Sequence, residues 1–172
     1  LMIGWSGCPD ATAENPTVAR GWQCALTVPR ELSIRDGKLC QQPAYEIERM
    51  RGGCVRATGG ETVEEPGRLF DLVVSCEGAK MVELEIRKGV FVRYADGMLT
   101  LDMGDEGYGR DQRSIELSEL RDLRVLSDTT MVEIFANGGE AALTSRTYSP
   151  AVPAMGLHAE GAASMEFYRL AH

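Results

Sequence analysis

The sequence predicts an all-β protein built as two antiparallel sheets packed face to face. Three observations point there. Short β-branched and aromatic runs are separated at short intervals by Gly, Asn and Asp turns. Apolar and charged residues alternate strictly from Met81 to Arg87. Only one stretch, Pro43 to Arg51, carries the signals of a helix. Many short strands with little helix fit a two-sheet β-sandwich better than a layered α/β fold. The 172 residues suffice for one domain with a proper core and a small appendage. At 44% hydrophobic and 26% charged, the composition is that of a globular chain, not a disordered one.

Taken in order, the chain opens on a strand-like run, Leu1 to Trp5. Two Gly-Trp pairs, Gly4-Trp5 and Gly21-Trp22, flank a polar loop with Pro9-Asp10 and Asn15-Pro16. Gln23 to Val28 reads as a strand that stops at Pro29-Arg30-Glu31. Leu32 to Ile34 and Lys38 to Gln41 flank the turn Arg35-Asp36-Gly37. These segments read as two hairpins, the first too small and too apolar to stand alone. In Pro43 to Arg51, proline suits the first turn, the acids come early and the arginines late, and Gly52-Gly53 end the helix.

From Val55 onward the chain reads as β. Leu69 to Ser75 is one strand. In Met81 to Arg87, Val82, Leu84 and Ile86 face one way and Glu83, Glu85 and Arg87 the other, the pattern of a half-buried antiparallel strand. Val90 to Tyr94 and Met98 to Asp102 flank Ala95-Asp96-Gly97, a strong hairpin signal. Ser114 to Leu120 reads equally as a helical turn or a strand end. The clearest signal is the meander from Leu123 to Ser149, with turns at Asp128-Thr129-Thr130 and Asn137-Gly138-Gly139. With Asn137-Gly138 as the central residues, Ile134 stands opposite Ala141 and Val132 opposite Leu143, and Glu133 falls on the other face. Gly138-Gly139 is the alternative turn. Met155 to Ala159 and Met165 to Leu170 are the last strands.

The run Leu123-Arg124-Val125, Asp128, Val132-Glu133-Ile134-Phe135, Asn137-Gly138-Gly139-Glu140 and Leu143-Thr144-Ser145-Arg146 resembles the C-terminal β-sandwich of glycoside hydrolase family 32. That family contains invertases, sucrose-6-phosphate hydrolases, levanases and inulinases. The opening, with Gly4-Trp5-Ser6-Gly7, Asn15-Pro16-Thr17, Gly21-Trp22 through Leu32 and Asp36-Gly37-Lys38-Leu39, resembles the last blade of the family's five-bladed β-propeller. The resemblance implies the tail of a catalytic propeller at 1–42, a linker helix at 43–53 and a lectin-like or jelly-roll sandwich at 54–172. It also implies a longer protein of which this chain is the C-terminal region, with the missing propeller as its partner.

Cleavage of a β-fructofuranosyl bond in sucrose, sucrose 6-phosphate or fructan is the activity the resemblance implies for the full enzyme, without a cofactor. Retaining glycoside hydrolysis needs two carboxyl groups roughly 5–5.5 Å apart. Asp128 and Glu133 are roughly 15 Å apart along a strand at about 3.3 Å per residue, and both read as solvated surface groups. The family's catalytic motifs are Asn-Asp-Pro-Asn, Arg-Asp-Pro and Glu-Cys. Here Arg35-Asp36, Arg110-Asp111 and Arg121-Asp122 lack the proline, and Cys76-Glu77 reverses the order. No catalytic residue is carried over, and the chain alone is expected to be inert.

For sugar binding, an aromatic face and nearby polar groups are needed. Trp5 matches a blade position that, by the resemblance, lies close to the sugar pocket, and Tyr94, Tyr108 and Arg110 are candidates for lining a groove on the sandwich. The competing readings are blade packing for Trp5 and Trp22, a loop anchor for Tyr108 between two glycines, and a hydrogen-bonded structural role for His158.

The net charge of −8 argues against nucleic-acid and membrane-surface partners. No apolar run approaches the roughly 20 residues of a membrane span. The five cysteines, Cys8, Cys24, Cys40, Cys54 and Cys76, form no close pair, and only His158 and His172 add imidazoles, so no metal site is expected. Reduced thiols and the lack of a leader-like start lead to a cytoplasmic expectation. Three roles compete for the sandwich: support for the propeller, a fructan-binding module, or an oligomerisation module joined through exposed edge strands. An aromatic content of 6% favours support.

Overall fold

The structure, a computed structural model, describes residues 1–7 and 15–171. Cys8, the Pro9-Asp10 loop and His172 lie outside the described residues. Four short strands occupy the N-terminal segment. β1 (Trp5–Ser6) pairs with β2 (Ala25–Leu26), β3 (Arg30–Arg35) pairs with β4 (Lys38–Pro43), and Met2 bridges to Arg30. The β3–β4 turn is Asp36-Gly37, with φ of 50° and 76°, the left-handed pair that a two-residue hairpin requires.

The expected helix is a 3-10 helix, Tyr45–Met50, and Gly52-Gly53 do not end it. They lie within β5 (Arg51–Thr58), an edge strand of the sandwich. Arg51 follows the last helical residue in extended conformation, and its Nε donates to Asp71 Oδ2 at 2.7 Å. Gly52 then passes close to the neighbouring strand, where a Cβ would sit 3.1 Å from the Arg169 carbonyl oxygen.

The remaining strands are β6 (Thr62–Glu64), β7 (Phe70–Ser75), β8 (Met81–Arg87), β9 (Val90–Ala95), β10 (Met98–Asp102) and β11 (Gln112–Glu116). They are followed by β12 (Asp122–Ser127), β13 (Met131–Ala136), β14 (Ala141–Arg146), β15 (Ala154–Glu160) and β16 (Ser164–Leu170). Among the described residues they form two six-stranded antiparallel sheets, in the orders β11-β10-β9-β8-β15-β6 and β14-β13-β12-β7-β16-β5. Of the ambiguous segment Ser114 to Leu120, the first three residues end strand β11 and the other four are loop.

The core lies between the sheets. Val82, Leu84 and Ile86 from β8 and Val92 from β9 meet Leu72, Val74, Val125, Val132 and Ile134 of the other sheet, and Phe70 packs on Phe167 at 5.3 Å between ring centroids. The alternation that marked β8 in the sequence is the cause: its apolar residues point inward, and Glu83 and Glu85 outward. Arg87 breaks the expected pattern. A bulge in the β8–β9 pairing turns it inward, and it is fully buried. It donates to the Ser127 hydroxyl at 2.7–3.0 Å, to the carbonyls of Ser149 (3.1 Å) and Arg68 (2.9 Å), and to that of Asp128. Ser127 belongs to the opposite sheet, so this guanidinium ties the two together. Burial lowers its pKa to about 10, and it stays charged at neutral pH.

The meander differs from the expected register by two residues. Ile134 pairs with Leu143 and Val132 with Ser145, because the turn spans four residues, Asn137 to Glu140. Asn137 sets that width. Its Oδ1 accepts from the Arg121 N–H at 2.9 Å and its Nδ2 donates to the Glu119 carbonyl at 2.9 Å, which anchors the turn to the preceding loop. A two-residue shift leaves every side chain on its face, so the inward set is unchanged.

Candidate functional site

Every residue of β13 is buried, although only Val132, Ile134 and Ala136 face the core. The outward residues Met131, Glu133 and Phe135 are covered by the N-terminal segment. Glu133, expected as a solvated carboxylate, is only 2% exposed. It accepts from the Val28 N–H at 2.7 Å and pairs with Arg30, whose Nε and Nη2 lie 3.2 and 2.5 Å from Oε2. The partner is 103 residues away in sequence, which local pattern cannot reveal. Arg30 also reaches Gln41 Oε1 (2.9 Å) and Thr144 Oγ1 (2.6 Å) and stands over the Phe135 ring at 5.0 Å. Burial raises the Glu133 pKa; its hydrogen bonds from Val28 and Arg30 oppose that rise.

The same junction is fastened at the Asn137–Glu140 turn. The Gln41 N–H donates to the Gly139 carbonyl at 2.9 Å, Gln42 Nε2 donates to the Gly138 carbonyl at 2.6 Å, and Lys38 pairs with Glu140. A Cβ on Gly139 would lie 1.9 Å from the Gln41 carbonyl oxygen, so the docking requires glycine there. Farther along the same outer face, the buried Asp71 is held by Arg51 and by Arg124, whose Nε and Nη2 lie at 3.0 and 2.7 Å.

Beside this junction lies a polar cleft of about 350 Å³. Its N-terminal wall includes Trp5, Gly7, Asn15 and Gln23; its sandwich wall includes Arg113 on β11 and Thr144, Ser145 and Arg146 on β14. These two strands are the edges of the two sheets, so the cleft opens where both sheets end. Trp5 is 57% exposed, and Gly7 lies so close to its ring that a Cβ would approach Cζ2 to 2.5 Å. Arg110 also lines the cleft and donates from Nη2 to Asn15 Oδ1 at 2.8 Å.

Two of the three residues singled out from sequence, Trp5 and Arg110, therefore share one cavity. Tyr108 does not line it. At φ 50° it closes the 3-10 turn Gly104–Gly107, and its ring meets Tyr148 edge-on at 5.5 Å. Tyr94 is in the core, donating to the Leu117 carbonyl at 3.2 Å, and His158 is exposed on the open face of the first sheet. Arg30, Arg113, Ser145 and Arg146 were not singled out from sequence. Only pairing across the whole chain assembles them, although three arginines among polar residues of edge strands are the signal that was there. The exposed aromatics are Trp5, Trp22, Tyr45 and Tyr108, and they form no row on either sheet face among the described residues. The described residues contain no cluster suited to a metal ion, and no described helix is long and apolar enough to cross a membrane.

Comparison with known proteins fits this arrangement. The sequence model described as "Glycosyl hydrolases family 32 C terminal" matches residues 85–170, half of the chain, and "Glycosyl hydrolases family 32 N-terminal domain" matches residues 1–43. The chain belongs to glycoside hydrolase family 32. Among family 32 relatives, raffinose invertase of Escherichia coli is 35% identical over 169 residues, covering 88% of this chain and 34% of that protein. Sucrose-6-phosphate hydrolase of Salmonella typhimurium is 32% identical over 161 residues, covering 88% and 32%. In three dimensions, sucrose-6-phosphate hydrolase of Lactobacillus gasseri superposes with a TM-score of 0.81 at 21% identity, over 98% of this chain and 38% of that one. The Bombyx mori family 32 β-fructofuranosidase gives 0.77 at 20%, over 98% and 37%. The family 32 chain thus spans about a third of the length of the curated relatives it matches. The Arg30–Glu133 pair joins the stretch matched by the N-terminal model to the one matched by the C-terminal model.

Proposed function

We propose that this chain is the C-terminal region of a cytoplasmic β-fructofuranosidase, in which the sandwich braces a catalytic propeller. In this reading residues 1–42 complete that propeller, 43–53 link, and 54–172 form the brace. The observation that carries the reading is the buried junction at Glu133. A carboxylate held by Arg30 and the Val28 N–H is the mark of a fixed attachment, whereas a mobile binding module would have no use for it. Hydrolysis of sucrose, sucrose 6-phosphate or a short fructan belongs to two carboxylates outside this chain, working by the retaining route. The names of the relatives, invertase and sucrose-6-phosphate hydrolase, support that substrate class.

Two further observations favour support over fructan binding. The sandwich faces lack an aromatic row among the described residues, and the hairpin β3–β4 exposes Leu32, Ile34 and Leu39 on one face, with Ile34 77% accessible. Such an apolar face suits a neighbouring blade. The free thiols of Cys24, Cys40, Cys54 and Cys76 support a reducing compartment.

A chimera tests the proposal. This chain replaces the matching third of the E. coli raffinose invertase, and sucrose hydrolysis is measured. The expected result is an active chimera that loses activity on Glu133→Ala, while the chain alone releases no fructose. A chimera that is folded by circular dichroism and gel filtration yet inactive overturns the reading.

A further inference from the structure

The turn between β13 and β14 contains a chemically reactive pair of residues. An asparagine followed by glycine readily loses its side-chain amide, because glycine has no Cβ to shield its backbone nitrogen. That nitrogen attacks the asparagine Cγ, a C–N bond forms, and Nδ2 leaves as ammonia, closing a succinimide ring. Water then opens the ring to aspartate or to isoaspartate, in which the main chain runs through the side-chain carbons. The chain has two asparagines, and Asn15 precedes Pro16, which has no N–H to attack with. Asn137, before Gly138, is therefore the one asparagine that can close this ring.

In the folded chain both reacting groups are pinned. Asn137 is 4% exposed and left-handed, at φ 53°. Its side chain is fixed at both ends, Oδ1 by the Arg121 N–H and Nδ2 by the Glu119 carbonyl, each at 2.9 Å. The peptide that carries the attacking nitrogen is fixed as well. The Gly138 N–H donates to Asp122 Oδ1 at 2.8 Å, and the Asn137 carbonyl accepts from Arg35 Nη2 at 3.2 Å. The Gly138 carbonyl accepts from Gln42 Nε2 at 2.6 Å and from Arg35. Ring closure needs this peptide to swing against the side chain, and neither turns without breaking these bonds. Asp122 adds a further restraint, since the attacking nitrogen must shed its proton and a neighbouring carboxylate disfavours the resulting anion.

Arg35 and Gln42 belong to β3 and β4, and both are exposed. Part of the restraint on this turn of the sandwich is thus supplied by the docked N-terminal segment. The product cannot be held in the same way. Aspartate at 137 presents an oxygen to the Glu119 carbonyl where Nδ2 donated, in a turn that already carries Glu140 and bonds Asp122. Isoaspartate inserts a further carbon into the backbone ahead of Gly138 and Gly139, whose carbonyls receive Gln42 Nε2 and the Gln41 N–H.

We propose that Asn137-Gly138 is a modification site that works one way: docking of the N-terminal segment protects it, and deamidation after detachment prevents that segment from docking again. The proposal rests on the geometry of the junction and not on the fructosidase reading, so the two fail separately.

Peptide mapping by mass spectrometry of the 172-residue chain, incubated at mildly alkaline pH, reads the amide loss at Asn137. The chain unfolded in guanidinium chloride sets the unprotected rate. The folded chain is expected to react at least about a hundredfold more slowly, because it reacts only through rare local opening. Arg35→Ala with Gln42→Ala removes exposed side chains that bond the turn, and is expected to speed the folded reaction about tenfold without moving the dichroism transition. Reacted chains, separated by ion exchange on their added charge, are expected to show the tryptophan fluorescence transition at lower denaturant than the dichroism transition.

Equal rates in the folded and unfolded chain overturn the proposal, as does a double variant that reacts no faster than the natural chain. Reacted chains whose two transitions coincide also overturn it, since the modification then leaves the junction intact.

Discussion

Replacing Glu133 by alanine leaves two groups without partners. Arg30, with a side chain 7% exposed, keeps only Gln41 and Thr144, and the Val28 N–H loses its acceptor. Breaking a buried ion pair from one side costs about 3–5 kcal/mol, and an orphaned N–H about 1–3 kcal/mol. The two overlap at one site, so about 4 kcal/mol is expected for the change. It falls on the junction and spares the core, because Glu133 projects from the outer face of β13. The chain offers a natural way to see this. Its two tryptophans, Trp5 and Trp22, both lie in the N-terminal segment, while circular dichroism is dominated by the twelve strands of the sandwich. In urea, Glu133→Ala is expected to move the fluorescence transition to lower denaturant by about 1–2 M while the dichroism transition stays in place. Restoring apolar complementarity with Arg30→Met and Glu133→Leu together recovers most of the loss, because a buried pair exchanged whole for packed side chains is close to neutral. If the two transitions of the single variant stay together, whether unmoved or shifted alike, the junction is not a separate cooperative contact and the reasoning fails.

Other expectations follow from the same geometry. Gly139→Ala puts a methyl into the Gln41 carbonyl and is expected to detach the β3–β4 hairpin, whereas Gly37→Ala, at φ 76° with open space around it, costs only about 1–2 kcal/mol; urea midpoints by fluorescence separate them. Arg87→Lys cannot reach the Ser127 hydroxyl and the carbonyls of Arg68 and Ser149 at once and is expected to lower the stability read by dichroism by about 2–4 kcal/mol, with fluorescence following. Because burial raises the Glu133 pKa above its usual 4.5, the folded state keeps a proton that the unfolded chain has released. That contribution is full below 4.5 and is lost as pH climbs through the raised folded value, so Glu133→Gln gains on the natural chain across this window and the gap is flat above it; midpoints from about pH 4 to 8 check the sign. Ile34→Lys with Leu39→Glu replaces the exposed apolar face of β3–β4 and is expected to lower the fluorescence of a hydrophobic dye bound to the native chain, which a dye titration checks.

The sandwich was legible because its strands bury one face against a common core, which writes period-two alternation into β8, and because turn residues such as Asp96-Gly97 punctuate the chain. The turn width at Asn137 was not legible, since the side chain's partners, Arg121 and Glu119, sit in a loop without periodicity. Glu133 and Arg87 were misjudged for one physical reason. A charged residue in a strand reads as solvated unless its distant partner is known, and here the partners lie 103 residues away and across the opposite sheet. Trp5 was a candidate through the family resemblance and Arg110 by residue type, and the cleft that both line needed the edges of two sheets to be brought together. The helix expected over Pro43 to Arg51 is a 3-10 helix at Tyr45–Met50, and Arg51, which bonds to Asp71, already belongs to β5.

The placement of β15 and β16 has a consequence for the order of assembly. Each enters a different sheet, and each sits between an early strand and the body of that sheet: β15 between β8 and β6, β16 between β7 and β5. As the chain emerges from the ribosome, β5 and β6 have no ladder to join until residues 154–170 arrive. Both halves of the sandwich are thus latched by one late hairpin-length segment, and β7 and β8 wait with open edges that invite mispairing. Synthesis halted just short of Ala154 would forfeit four strands rather than two.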